Sequence, residues 1–305
     1  MASLPGLVAL VALMFTWVSV GQTGTELRIA EQGQITSRFN EAVSHLGSES
    51  LDVRFGGIYA LERIMQDSPR DQARIISVLS AYVRTHTPVP PDGFLKMKPD
   101  EVPPPPDADV IAVTEVLAAR PPGQDGAAEI NWQGADLRGL ILQSRYGTTS
   151  ADAPPVPRYL PFGFANLVEA DLRHAVFSGV DLHDAWCAGV NLAHAELFDV
   201  NLKDAQMPWA DLTGVSLQGT SLRGADLYEA ILVGVDLIRA DLKDADLSDA
   251  DLSGADLYEA NLRGANLGGA DLRRANLTGA DLTGADLTAA LLDGAKGVPA
   301  EWLDK

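Results

Sequence analysis

Cysteine occurs once in the 305 residues, at Cys187, which excludes an intramolecular disulfide and any thiolate metal cluster. Positive charge is scarce: 23 Lys+Arg stand against 42 Asp+Glu, a formal net charge of −19. A chain that neutralises phosphates needs a basic face, so no direct nucleic-acid binding is expected. Aromatic residues are only 6%, and there is no Gly-rich phosphate loop, HExxH, nucleophile elbow or Ser-His-Asp set. These absences argue against an enzyme and against a bound cofactor. The 46% hydrophobic and 21% charged residues equally exclude a disordered polyampholyte and a multi-span membrane protein.

Charge is missing altogether from residues 1–25, and residues 4–20 (LPGLVALVALMFTWVSV) are almost wholly apolar. At about 1.5 Å per residue this run reaches roughly 25 Å, just short of a ~30 Å hydrocarbon core. With Ala2 and Gly21 included, and Trp17 as an interfacial anchor, residues 1–25 read as a transmembrane helix. The alternative is a signal peptide and a secreted product, but no basic segment precedes the run and no small-x-small site follows. Arg28 and Arg38 lie after it and no basic residue before it. That asymmetry places a single-pass protein in the cell membrane with its C-terminal bulk in the cytoplasm.

Residues 26–86 read as a helical region. Ile35, Phe39, Val43 and Leu46 recur at helical spacing before Gly47. Residues 51–65 form a second helix with Val53, Ala60, Leu61 and Ile64 on one side, and Gly56-Gly57 within it predicts close approach of another backbone. Ser68-Pro69-x-Asp71 supplies a cap, a first-turn proline and an N3 carboxylate to a third helix. The three together resemble a single HEAT-type unit. Residues 87–108 read as a Pro-rich linker, and 109–129 as a last helix and a connection. His45 and His86 stand alone here and are read as structural.

From residue 165 to 294 the chain divides into 26 consecutive five-residue units. The central position is Leu in 23 of them, the position two earlier is Ala in 20, and the one between is Asp in 12 and Asn in 6. A period of five fits neither helix nor long strand. It does fit a unit with two inward residues, one outward between them and a two-residue bend. Such units wind into a coil whose turns pair as parallel strands about 4.8 Å apart, with leucines stacked inside. The pattern starts at residue 130 and is broken over 145–164. Since 20 residues are a multiple of five, the break is expected to replace one coil by a loop (145–159) rather than to bulge from a corner.

The A(D/N)LxG run resembles the pentapeptide-repeat family, which implies a mainly β fold, a right-handed quadrilateral β-helix with four units per coil, over residues 130–299. Residues 300–305 would cap it. The layout of apolar segment, short helices and repeats resembles membrane-anchored bacterial members. The resemblance implies one of two roles. The first is a membrane-anchored scaffold for an unidentified protein partner. The alternative is an acidic DNA mimic that binds a type II topoisomerase, motivated by 26 Asp+Glu against 13 Lys+Arg from residue 130 onward.

With four units per coil, residues 20 apart stack on one face. Trp186, Trp209 and Tyr228 then form an aromatic stripe, either a partner-binding surface or the place where the protein's own helices dock. Phe198, Ile238 and Tyr258 share another face. His174 and His194 are expected to stack about 5 Å apart, with His183 nearby. Two imidazoles and a carboxylate can hold zinc, yet no third ligand is evident, so no metal is expected. Cys187 falls at an inward central position, as a packed thiol.

Overall fold

The computed structural model describes residues 28–88, 103–121, 123–143 and 159–303. The chain divides between Asp67 and Ser68 into two compact units. The expected anchor, residues 1–25, lies outside the described residues; among those described, no helix is long and apolar enough to cross a membrane.

The first unit holds α1 (residues 28–46) and α2 (Leu51–Asp67). A β-carbon on Gly57 would lie 2.7 Å from the Ala42 carbonyl oxygen and 2.9 Å from His45 Cβ, so the helices meet there backbone to backbone. That is the close approach expected of the glycine pair, but Gly57 alone carries it, since Gly56 has nothing within 4 Å. Leu61 and Ile64 are buried as expected, whereas Val53 is exposed.

The second unit opens with a 3₁₀ turn at Pro69–Asp71 and continues into α3 (Gln72–His86) and α4 (Ala108–Ala118). The Ser68 carbonyl accepts the Asp71 N–H at 3.0 Å, but its hydroxyl donates to the Asp71 carboxylate at 2.6 Å instead of capping backbone. The third helix belongs to the same unit as α4 and the coil, and the first two helices to the other.

Residues 130–299 form the coil. Rungs pair in parallel with a step of 20, as in Trp186↔Gln206, Gln206↔Asp226 and Asp226↔Asp246, so four units make one turn. The central residue donates to the next coil (Leu247 N–H to Asn266 O, 2.7 Å) and the rung residue donates back (Asp246 N–H to Ala225 O, 2.9 Å). Each side is too short for long strands. Among the described residues only β1 (Ile141–Gln143), β3 (Val176–Ser178) and β5 (Glu196–Phe198) make a three-stranded sheet, with β2 (Leu160–Pro161) pairing β4 (Val180–Asp181). The remaining rungs are single bridges.

Sides meet at four-residue turns, closed by bonds such as Ala250 N–H to Leu247 O at 3.2 Å. The residue before each inward alanine has positive φ, from Gly134 to Gly294, and 15 of these corner residues are not glycine. This explains why glycine so often closes the unit: a side chain in that region costs about 1–2 kcal/mol. Inside, Leu242, Leu247, Leu252 and Leu257 are fully buried. Each contributes roughly 1.5–3 kcal/mol before the opposing chain entropy.

The break at 145–164 does not replace a coil. Asn131 pairs with Asn166 and Asp136 with Asp171, 35 residues on, so 15 residues are inserted where later rungs step by 20. Leu160 then pairs with Val180, and residues 160–164 are the fourth side of the first coil. The insertion leaves after Gln143 and returns at Tyr159, at a corner, where it costs the ladder nothing.

The open end of a solenoid exposes core side chains and backbone, and must be covered. α3 and α4 do this at the first coil. The Arg84 guanidinium donates to Asn131 O at 2.8 Å, Ser80 Oγ accepts the Asn131 N–H at 3.3 Å, and Thr87 O accepts the Asp136 N–H at 2.7 Å. Pro88 pairs antiparallel with Ala135, and Gly139 lies against Pro103–Pro105. Both described ends of the expected 87–108 linker are thus tied to the coil. Tyr82 Oη donates to the buried Asp109 carboxylate at 2.6 Å, joining the two helices. Below them Trp132 and Phe162 pack with ring centroids 5.2 Å apart, and the Arg120 guanidinium sits 5.8 Å above Phe162.

Candidate interaction face on the coil

The register sorts the coil into four sides. Side one carries residues 165–169, 185–189, 205–209, 225–229, 245–249, 265–269 and 285–289; sides two, three and four begin five, ten and fifteen residues later. Side-chain carboxylates and amides at the rungs are part of the scaffold. Each turns Oδ1 onto the N–H two residues on, as Asp226 does to Tyr228 at 3.0 Å. Asn amides at four rungs donate to the Asp carboxylate one coil back, as Asn266 does to Asp246 at 3.0 Å and Asn261 to Asp241 at 2.7 Å. Asp171, fully buried, is held by Arg173 at 2.8 Å and Arg138 at 3.3 Å.

The three stripe residues all fall on side one, in adjacent coils but at different positions: Trp186 on a rung, Tyr228 just after a central leucine, Trp209 on a corner with φ of 59°. Trp186 is 55% and Trp209 57% exposed, and Tyr228 is half-buried. Trp209 and Tyr228 meet edge to face at 6.2 Å, and Trp209 Nε1 donates to Glu229 at 3.1 Å. Glu229 also accepts from the Tyr228 phenol, and that bond and its charge hold the phenol above its ordinary pKa. Trp186 makes no ring contact among the described residues. Its neighbours Ala188 and Gly189 carry little or no side chain. The stripe is thus a coupled pair plus one separate ring. α3 and α4 cover the end of the coil, so they are not what docks on this side.

Charge distinguishes the sides in a way that composition hides. Between residues 165 and 289, side one contains no Lys, Arg or His, yet it carries Glu169, Asp226, Glu229, Asp246, Asp249 and Asp286. Side four, by contrast, stacks Lys203, Arg223, Lys243 and Arg263 in successive coils. Arg138, Arg173, Arg273 and Arg274 lie on side two. The signal was available as a 20-residue spacing of charged residues, but it emerges only once the chain is read in columns.

His174 and His194 stack as expected, ring centroids 5.3 Å apart, on the corner of side two. Burial, and then the neighbouring imidazole, hold His174 below the usual histidine pKa. His183 is elsewhere, 2.9 Å from Asp181 and edge-on to Phe164 at 4.9 Å. No group of three metal-ligating side chains exists among the described residues. Cys187 is buried at its inward position, and desolvation pushes its thiol up to about 12. One cleft of about 590 Å³ lies at the corner of sides three and four, lined by Tyr159, Asp199, Asn201, Gln218 and Ser221. Tyr159 closes it with a 3.2 Å bond to Asp199. It was not foreseen, because Tyr159 reaches it from the end of the insertion. The Phe198 face is also exposed, at 52% for Phe198 and 37% for Tyr258.

No curated protein matches the chain. Among solved structures it resembles HetL, a pentapeptide repeat protein involved in heterocyst differentiation regulation in the cyanobacterium Nostoc sp. strain PCC 7120. The identity is 31% over 54% of this chain and 79% of that one, with a TM-score of 0.35. A pentapeptide repeat protein of the Arabidopsis thaliana thylakoid lumen is 33% identical over 31% and 67%, TM-score 0.29. The plasmid-mediated fluoroquinolone resistance protein QnrB1 is 15% identical over 53% and 76%, TM-score 0.34. The family model for pentapeptide repeats matches in 8 copies, over residues 162–186, 175–214, 220–257 and 255–294. Together with the four-unit register and the inward leucines, this places the chain in the pentapeptide-repeat family.

Proposed function

We propose that the protein is a non-enzymatic scaffold, held at a membrane by residues 1–25, that presents side one of its coil to a protein partner. The observation that carries this is the pair Trp186 and Trp209, both more than half exposed on a rigid ladder. Aromatic rings left open on a regular surface are the commonest anchors of protein interfaces. The coil supports a binding role further by rigidity: its rungs are fixed by bonds to both neighbouring coils, so docking costs the surface little ordering entropy.

The test is co-purification of the detergent-extracted full-length protein with its partners, comparing wild type with a Trp186→Ala, Trp209→Ala double variant. Loss of a stoichiometric partner in the variant supports the reading; an unchanged set of partners overturns it. Recovery of the uncleaved protein in the soluble fraction would overturn the anchor.

The reading as an acidic mimic of duplex DNA acting on a type II topoisomerase is disfavoured by the cations of side four. Duplex DNA is negative all round, whereas here Lys203, Arg223, Lys243 and Arg263 form a column through the middle of the rod. Inhibition of gyrase supercoiling by the full-length protein would reinstate it.

A further inference from the structure

We infer that side one takes a cationic segment of its partner, an extended Lys/Arg-rich peptide, through its aromatic rings and carboxylates together. This rests on the docking role of side one proposed above and adds the partner's chemistry. Three observations converge. Side one is the only one of the four without a cationic side chain between residues 165 and 289. Among the described residues no ion pair reaches Glu169, Asp226, Glu229, Asp246 or Asp249. On the other sides some carboxylates are ion-paired, Asp204 with Lys203 at 2.8 Å, Glu259 with Arg239 at 2.7 Å and Asp281 with Arg263 at 3.2 Å, while others, such as Asp211, Asp236, Asp251 and Asp256, have no ion pair among the described residues. The exposed tryptophans therefore lie on the side whose carboxylates have no cation in their own column.

The geometry suits a cation better than a neutral apolar group. Glu229 accepts from Trp209 Nε1 at 3.1 Å, so a carboxylate borders the ring and orients it. A guanidinium or ammonium over an indole face gains from the ring quadrupole, and Glu229 or Asp226 stands within the same two coils to accept its N–H. Successive coils repeat about every 4.8 Å, while alternate side chains of an extended peptide repeat about every 6.6–7 Å. A flexible Lys or Arg stem absorbs that mismatch, whereas a short rigid side chain does not. A purely apolar partner would desolvate five carboxylates that have no ion pair among the described residues, and that is costly.

The probe is an extended eight-residue peptide alternating Arg and Ser, titrated into the full-length protein in detergent and followed by tryptophan fluorescence and calorimetry. Two controls accompany it: the same peptide with citrulline for Arg, and an Asp/Ser peptide. The expected results are saturable binding of the Arg peptide only and at least tenfold weaker binding to the Trp186→Ala, Trp209→Ala variant. Asp246→Asn, Asp249→Asn should weaken it severalfold, and Asp251→Asn, Asp256→Asn on sides two and three should leave it unchanged. Equal weakening by both carboxylate pairs means unspecific attraction to an acidic rod and overturns the inference, as does equal binding of the citrulline peptide. If the tryptophan variant still loses a protein partner while the Arg peptide shows no preference for side one, the cationic inference fails and the docking role stands. If neither measurement responds to the tryptophans, both fail.

Discussion

Asn261→Asp tests whether the rung columns contribute to stability or merely face water. Asn261 lies between Asp241 and Asp281 on side four and donates its amide to Asp241 at 2.7 Å. The substitution is nearly isosteric and keeps the cap on the Arg263 N–H. It removes one hydrogen bond to a charged acceptor, worth about 1.5–3 kcal/mol. It also sets two carboxylates roughly 4 Å apart, a repulsion of about 1 kcal/mol at the dielectric of water and up to about 4 at an effective value of 20. Lys243 and Arg263 stand close enough to offset part of this. The net expectation is a loss of about 2–4 kcal/mol at pH 7, read from urea unfolding. Like charges raise the folded-state pKa of the new pair above its unfolded value near 4. The variant is therefore most handicapped above that raised pKa, and the gap to wild type narrows as pH falls through it and one shared proton restores an O–H···O bond. Asn261→Ser, which lacks both donor reach and charge, should fall between the two and show no such narrowing. If the aspartate and serine variants are equally stable at pH 7, or the gap is constant down to pH 4, the column does not act as described.

Three further outcomes follow from the coil. Leu247→Ala opens a cavity in a fully buried stack, and should cost about 2–5 kcal/mol, while Ser248→Ala, which loses only a bond to Asp246 at 2.6 Å, should cost under about 1.5; both are read by thermal unfolding. Gly254 and Gly297 have φ of 69° and 76°, but a β-carbon at Gly254 meets open space, whereas at Gly297 it lies 2.5 Å from the Leu277 carbonyl carbon. Gly254→Ala should therefore cost about 1–2 kcal/mol and Gly297→Ala clearly more; similar melting temperatures would contradict the geometry. Cys187, its thiol pushed up to about 12, should resist maleimide at pH 8 in the native protein and react fully in guanidinium; prompt native labelling would show that the inward position is wrong.

The fold was legible because its rule is local. Five residues repeat without insertion from 165 to 294, and the inward pair, the rung and the corner can each be read from one unit. The coil ends and the interruption follow no such rule. That α3 caps the first coil depends on Arg84 and Asn131, 47 residues apart, and no period connects them. The insertion was misread because a gap that is a multiple of five preserves register whether a coil is replaced or a corner is extended; only the 35-residue step from Asn131 to Asn166 decides it. The stripe of Trp186, Trp209 and Tyr228 was placed on the correct side, but its grouping into a pair and a single ring depends on positions within the unit. Rung and corner side chains leave the coil in different directions even when their coils are adjacent.

This architecture separates stability from surface chemistry more completely than a globular core does. The inward alanine and leucine of each unit fix the ladder, and the corner residue has only to tolerate positive φ, which 15 residues other than glycine do. The remaining positions of a side are then free to differ from those of the next side, because their neighbours in space are 20 residues away rather than five. Side four uses that freedom to alternate Lys and Arg down its column, and side one to exclude both. Charge patterns with a period of 20 cannot arise from the needs of the repeat, which has a period of five. They are the part of this sequence that the five-residue rule leaves free to differ from side to side.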